Sequence, residues 1–155
     1  MYSISPIGFV RSSRELPRDD FWGDENARIE LVPDIPAESL LGLAEFSHAE
    51  ILYLFHHDAA DAAIAWSRHP RGNSDWPSVG IFAQRARRRP NRIGATIVRV
   101  VSVQGATIVV DQIDASDGTP VLDIKPVFGE FLPTGPMRQP TWTTELMADY
   151  WRTMR

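Results

Sequence analysis

A chain of 155 residues, 43% hydrophobic and 23% charged with a net charge of −4, has the length of one domain and the composition of a soluble globular protein. It contains no cysteine, which excludes disulfides, thiolate metal sites, iron–sulfur clusters and cysteine nucleophiles. No apolar run approaches the ~18 residues of a membrane helix, and the start, MYSISPIGFVRSSRE, lacks the basic and long apolar regions of a secretory signal, so the expected address is the cytoplasm.

In chain order, ISPIGFV (4–10) reads as a first strand, followed by a polar loop, RSSRELPRDDFWGDEN, dense in turn-forming residues. ARIELV (27–32) is a second strand, and Ala37 to Leu41 a short helical turn closed by Gly42. FSHAEILYLFHH (46–57) is apolar at both odd and even positions and predicts a central strand buried on two faces. The stretch from Asp58 to Pro77 supports two readings, a helix capped by Asp58 or a strand over Ile64 to Arg68 that runs into a loop. SVGIFAQR (78–85), IGATIVRVVSV (93–103), ATIVVDQID (106–114) and PVLDI (120–124) are rich in β-branched residues, and Gln104–Gly105 forms a hairpin between the two longest. Leu146, Met147, Tyr150, Trp151 and Met154 then make the apolar stripe of an amphipathic helix after a Pro/Gly-rich connection. The expected fold is mainly β: a small, mostly antiparallel barrel or strongly curved sheet with a C-terminal α-helix, the barrel over 1–128 and the connection and helix over 129–155 of the same domain.

The basic residues are all arginine except Lys125, and Arg85, Arg87, Arg88, Arg89 and Arg92 fall within eight positions. Guanidinium groups bind phosphate and carboxylate bidentately and stack on bases, so this run suits an anionic or nucleotide ligand, although a solvated loop gives the same pattern. The familiar phosphate loops and the G-x-G-x-x-G turn are missing, as are H-E-x-x-H and G-x-S-x-G. His48, Glu50 and His56 share a strand face, but the two histidines stand about 26 Å apart along an extended strand, so no shared metal ion is expected. Asp111, Asp114, Asp117 and Asp123 lie close together, either as a cation or base cluster or as the polar residues of a turn at SDGTP. In RRRPNRIG, the proline interrupts a strand and the glycine permits close backbone approach.

Taken together, PIGFVRSS, PRDD, GLAEFSHAEILYLFHH, GIFAQRARRRPNRIGATIVRVVSV and DGTPVLDIKPV resemble the TrmO family, also called YaeB or TsaA-like, over roughly residues 4 to 128. Arg92 stands where that family often has proline, and Val127 where it has tyrosine. The resemblance implies a single-sheeted β-barrel that forms a homodimer, binds S-adenosylmethionine and methylates N6 of threonylcarbamoyladenosine beside the tRNA anticodon. By position it implies cofactor contacts at Asp20, Phe21, Trp22, His56, His57, Arg85, Ala95 and the run Asp111, Gln112, Ile113, Asp114. Phe21 and Trp22 suit the adenine or the sulfonium, and Arg85 suits the carboxylate.

Transfer of a methyl group to an exocyclic amine is an in-line displacement, aided by a base that takes the N–H proton. The candidates are Asp114, Asp117 and His56, with Asp117 or Asp114 expected ahead of His56. Arg87, Arg88, Arg89, Asn91, Arg92 and Lys125 are the candidate contacts to tRNA or to the acceptor base. Two other readings share these residues: methyl transfer to a different RNA or a small molecule, and a non-catalytic S-adenosylmethionine-binding module.

Overall fold

Six of the segments rich in β-branched residues pair edge to edge and close into one sheet. The computed structural model describes residues 1–24 and 26–154; Glu25 of the predicted polar loop and Arg155 of the predicted helix lie outside the described residues. In chain order the strands are β1 (Gly8–Arg11), β2 (Asn26–Leu31), β3 (His48–Leu54), β4 (Ser67–Arg68), β5 (Val79–Gly80), β6 (Ile93–Gln104), β7 (Thr107–Asp111) and β8 (Pro120–Pro126), followed by the helix α1 (Thr141–Leu146). The closed barrel runs β1-β2-β7-β6-β3-β8, antiparallel throughout, while β4 and β5 form a separate two-stranded ribbon. This is the expected fold class. The Gln104–Gly105 hairpin also forms as expected, with Gln104 opposite Thr107.

Alternation fills the barrel. Val10, Ile29, Ile51, Val98, Ile108, Val110 and Val121 are completely buried, one or two from each barrel strand. Each contributes roughly 1.5–3 kcal/mol of apolar transfer relative to full exposure. Pairing slips by one residue between Leu52 and Tyr53 on the β8 side and between Val100 and Ser102 on the β7 side. Such bulges bend and twist strands, which helps a small sheet close.

Strand ends shift, most at β1, which begins at Gly8 rather than Ile4, and four further elements differ from expectation. In β3 only Ala49, Ile51 and Tyr53 are buried, while Glu50, Leu52 and Leu54 are half-buried, because one side of a barrel strand always faces outward. The stretch 78–85 is a strand only at Val79–Gly80 and then turns at Ile81–Ala83. There the Gln84 side-chain amide, which donates to the carbonyls of Arg68 (3.2 Å) and Val79 (2.9 Å), replaces a strand ladder. Between Asp58 and Pro77 the strand reading is the nearer one, reduced to Ser67–Arg68.

The fourth difference is the C-terminal helix, which ends after six residues; beyond it the chain does not resume a helix, and the carbonyls of Asp149, Tyr150 and Arg152 accept the backbone N–H groups of Phe21, Trp22 and Gly23. Tertiary hydrogen bonding outweighs the helical periodicity. Among the described residues no helix is long and apolar enough to cross a membrane.

The strand directions gather one set of connections at a single rim: residues 12–24 between β1 and β2, the stretch from Phe55 to Arg92 between β3 and β6, and residues 112–119 between β7 and β8. The opposite rim carries the Gln104–Thr107 hairpin and the tight turns at Ala37–Leu40 and Leu43–Glu45.

Candidate functional site

Tyr53 is the last inward-facing residue of β3, and its neighbour across the sheet is Gly94. That glycine is a steric requirement: a Cβ there would stand 2.5 Å from the Tyr53 ring and 2.9 Å from Phe55. With the space clear, the Tyr53 hydroxyl reaches the Asp114 carboxylate at 3.0 Å. Thr96 of β6 and Tyr150 of the C-terminal segment also donate their hydroxyls to Asp114, Thr96 to the same oxygen as Tyr53 and Tyr150 to the other. One carboxylate therefore receives three hydroxyls from three distant parts of the chain.

Burial, reinforced by the negative charge of Asp114, raises the pKa of both tyrosines far above the ordinary phenol value, so both are donors across the physiological range. Arg85 lies close enough to both phenols for its charge to act against that rise, and it donates to the carbonyl of Ala95 at 2.5 Å. Arg85, Ala95 and Asp114, named separately in the sequence, are thus brought together.

The loop bearing Asp114 leaves β7 through Gln112, whose φ of 59° is left-handed and turns the chain out of the ladder. Ile113 is fully buried, so its side chain belongs to the core and only its main chain faces the turn. Asp111 is paired with Arg99 across the sheet. Asp117 closes the rim: its carboxylate accepts the Ser12 N–H at 3.1 Å and its own N–H reaches the Arg14 carbonyl at 2.5 Å. The turn reading of SDGTP accounts for these bonds, and Gly118 at φ 76° supplies the left-handed residue.

His56 and His57 follow β3 onto the same rim, with ring centroids 4.1 Å apart. His57 Nε2 is 3.0 Å from Ser116 Oγ. Burial, and then the neighbouring His57, lower the pKa of His56, which favours its neutral imidazole. Arg92 fixes this corner by donating to the carbonyls of Asp58 (2.6 Å) and Phe55 (3.4 Å), while its own carbonyl accepts the Phe55 N–H at 2.8 Å.

The remaining arginines divide. Arg89 donates to the Gln84 carbonyl at 2.8 Å, and Arg88 pairs with Asp58 at 3.4 Å. Arg87 is exposed and has no hydrogen-bond or ion-pair partner among the described residues. Arg88, Arg89, Asn91 and Arg92 line a cavity of about 260 Å³ with Asp58, whose second carboxylate oxygen is buried without a partner.

In the loop before β2, Asp20 takes both Arg71 amino groups at 3.0 Å. Phe21 adopts a left-handed φ of 67°, and its carbonyl accepts from Arg14. Trp22, however, is 98% covered beneath the Arg14 guanidinium, 4.6 Å above its ring, so its face is already occupied. Lys125 stands at the opposite rim, opposite Glu50 in the sheet and paired with Asp123 at 2.7 Å, which raises its pKa. The structure does not bring it to Asp114. Among the described residues no group of three histidine or acidic side chains has the geometry of a metal site.

Sequence reasoning missed Tyr53, Thr96, Tyr150 and Ser116. Tyr53 and Thr96 left a signal: both are hydroxyl side chains at inward-facing strand positions, where each needs a partner. Tyr150 left none, since an apolar helical stripe explained it.

Residues 9–131 match the family of the tRNA-methyltransferase O N-terminal domain. The human tRNA (adenine(37)-N6)-methyltransferase is 42% identical over 96 residues, covering 62% of this chain and 21% of that protein. A Methanocaldococcus jannaschii protein named "Probable S-adenosyl-L-methionine-binding protein" is 35% identical over 133 residues, covering 85% of this chain and 96% of its own. The crystal structure of TrmO from Pseudomonas aeruginosa superposes with a TM-score of 0.73 at 32% identity, covering 92% of this chain and 62% of that one. The chain spans about half the length of the bacterial curated relatives it matches. With the family matched over most of the sequence and the barrel matched in three dimensions, this chain belongs to the TrmO family.

Proposed function

We propose that the chain is the cofactor-binding barrel of an S-adenosylmethionine-dependent methyltransferase that modifies N6 of threonylcarbamoyladenosine beside the tRNA anticodon. The carrying observation is the Asp114 carboxylate, held by Tyr53, Thr96 and Tyr150 and set beside Arg85 at the rim. The donor set fits the cofactor: an acceptor for positive charge in Asp114, a guanidinium for a carboxylate in Arg85, an aromatic edge in Phe21, and main chain freed from the ladder at Gln112 and Ile113 for a purine. The archaeal relative, named for binding this cofactor, supports the same reading.

Bound there, S-adenosylmethionine supplies an electrophilic methyl group whose departure leaves a neutral thioether. The residues of this chain bind, orient and exclude water. His56, with a hydrogen bond to the Leu54 main chain, is the base we assign in place of the Asp114 or Asp117 that the sequence favours, because those two carboxylates already accept hydroxyl and main-chain N–H bonds. Asp114 holds charge and orientation instead. Arg87 and Arg88, both exposed, face the RNA backbone, and Arg89, Asn91 and Arg92 shape the cavity beside it. The barrel strands and their rim loops supply Tyr53, Thr96 and Asp114, and residues 149–154 cover them with Tyr150.

The exposed outer face of β6, with Ile93, Ile97 and Val101, supports a homodimer, which light scattering tests. Work on tRNA gives the chain a cytoplasmic address. A second reading, methyl transfer to a smaller acceptor, is favoured by the net charge of −4 and by the arginines already committed to main-chain carbonyls. The deciding experiment incubates purified protein with S-adenosylmethionine and tRNA that carries threonylcarbamoyladenosine without the N6-methyl group, and analyses the nucleosides by mass spectrometry. Methylated threonylcarbamoyladenosine supports the tRNA reading, and its absence alongside measurable binding of S-adenosylhomocysteine transfers support to the smaller acceptor.

A further inference from the structure

Tyr150 lies 36 residues beyond Asp114 in sequence, yet its hydroxyl donates to the one carboxylate oxygen that Tyr53 and Thr96 leave open. The segment that delivers it is docked by its main chain. Phe21, Trp22 and Gly23 donate N–H groups to the carbonyls of Asp149 (3.1 Å), Tyr150 (2.7 Å) and Arg152 (3.3 Å), and the Met154 N–H reaches Asp24 at 3.0 Å. Gly23 is fitted to this contact, because a Cβ there would collide with the Trp151 carbonyl. The segment therefore lies directly on the loop that carries Asp20 and Phe21, while residues 128–140 leading to it are exposed.

We infer that Tyr150 is a positioning residue for Asp114 and that residues 149–154 are the cover of the site, latched by that one hydroxyl. The inference rests on the reading of Asp114 as part of the ligand site. A carboxylate held from both sides keeps one orientation, whereas losing one charge-assisted bond frees an oxygen to rotate or take up water. The same bond ties the cover to the barrel interior. Its removal should loosen the main-chain contacts of residues 21–23 even with no ligand bound.

The test is Tyr150→Phe, which removes only the hydroxyl, with Asp114→Asn as the second variant. Native-state hydrogen exchange is measured on the amides of Phe21, Trp22 and Gly23, with Ile51 and Val98 as barrel references. Faster exchange by about tenfold or more at the three loop amides in both variants, with the references unchanged, is expected from the loss of one hydrogen bond to a charged acceptor. In the methyl-transfer assay, Tyr150→Phe should lower kcat by about tenfold while KM for either substrate moves less than about threefold. Unchanged exchange at the loop amides in Tyr150→Phe overturns the latch. Equal losses in kcat and thermal stability, with KM rising in step, overturn positioning in favour of a merely structural role. Calorimetry with S-adenosylhomocysteine on the wild-type protein separates the two levels: no binding there counts against the proposed function, while the exchange result judges the latch by itself.

Discussion

The two rims of the barrel handle the same backbone problem differently. At the rim away from Asp114, the left-handed positions are glycines, Gly42 at φ 87° and Gly105 at φ 61°. Around Asp114 they are mostly side-chain-bearing residues: Phe21, Arg71, Asn91, Arg92 and Gln112, with only Gly72 and Gly118 as glycines among the described residues there. Glycine adopts this conformation without steric cost, whereas other residues give up about 1–2 kcal/mol each. The remote rim is built for stability. The near rim accepts strain in order to place particular side chains, and several of them hold the site together: Arg71 grips Asp20, Arg92 pins the loop of His56, and Phe21 lends its carbonyl to Arg14.

Four experiments break or sharpen that contrast. Asp114→Ala removes the common acceptor of three hydroxyls, two of them on buried residues, and should cost about 3 kcal/mol in urea denaturation. Replacing Gly94 by alanine pushes a methyl into the Tyr53 ring and should cost about 2 kcal/mol with loss of cofactor binding by calorimetry.

The third experiment is alkaline. The folded-state pKa values of Tyr53 and Tyr150 are raised, so their contribution to stability is complete below the ordinary phenol value near pH 10 and is lost as pH rises above it. Stability should therefore fall by about 1.4 kcal/mol per pH unit for each tyrosine that ionises only on unfolding. Tyr150→Phe should flatten that fall. Smallest is a paired substitution: Gly105→Ala should destabilise by about 1 kcal/mol, whereas Gln112→Gly should stabilise by about as much and weaken S-adenosylhomocysteine binding. Equal destabilisation by both would show that the rims do not differ.

The barrel strands were legible because burial in a closed sheet enforces alternation, and Val10, Ile29, Ile51 and Val98 follow it without exception. The family resemblance, and not the residue pattern alone, pointed to Asp114, His57 and Arg85, which the structure places on the loops of one rim. What stayed hidden depends on contacts far apart in sequence. The C-terminal stripe obeys helical spacing, and nothing local in it says that the carbonyls after Ala148 are drawn off by Phe21 and Trp22. Trp22 reads as an available aromatic, and only the fold places Arg14 over its ring. The arginine run reads as solvent-facing charge, yet Arg85, Arg89 and Arg92 all donate to main-chain carbonyls. Guanidinium groups serve as internal brackets as readily as they bind phosphate, and residue type alone does not separate the uses.

A sheet that closes on itself also decides how other chains can approach. Every barrel strand has neighbours on both sides, so no row of vacant N–H and C=O groups invites a foreign segment to add itself as another strand. Among the described residues, such an opening exists only along the short ribbon of Ser67–Arg68 and Val79–Gly80. Whatever docks on the barrel wall must be recognised by side chains, and the protein should resist templated aggregation even when that wall is rich in isoleucine and valine.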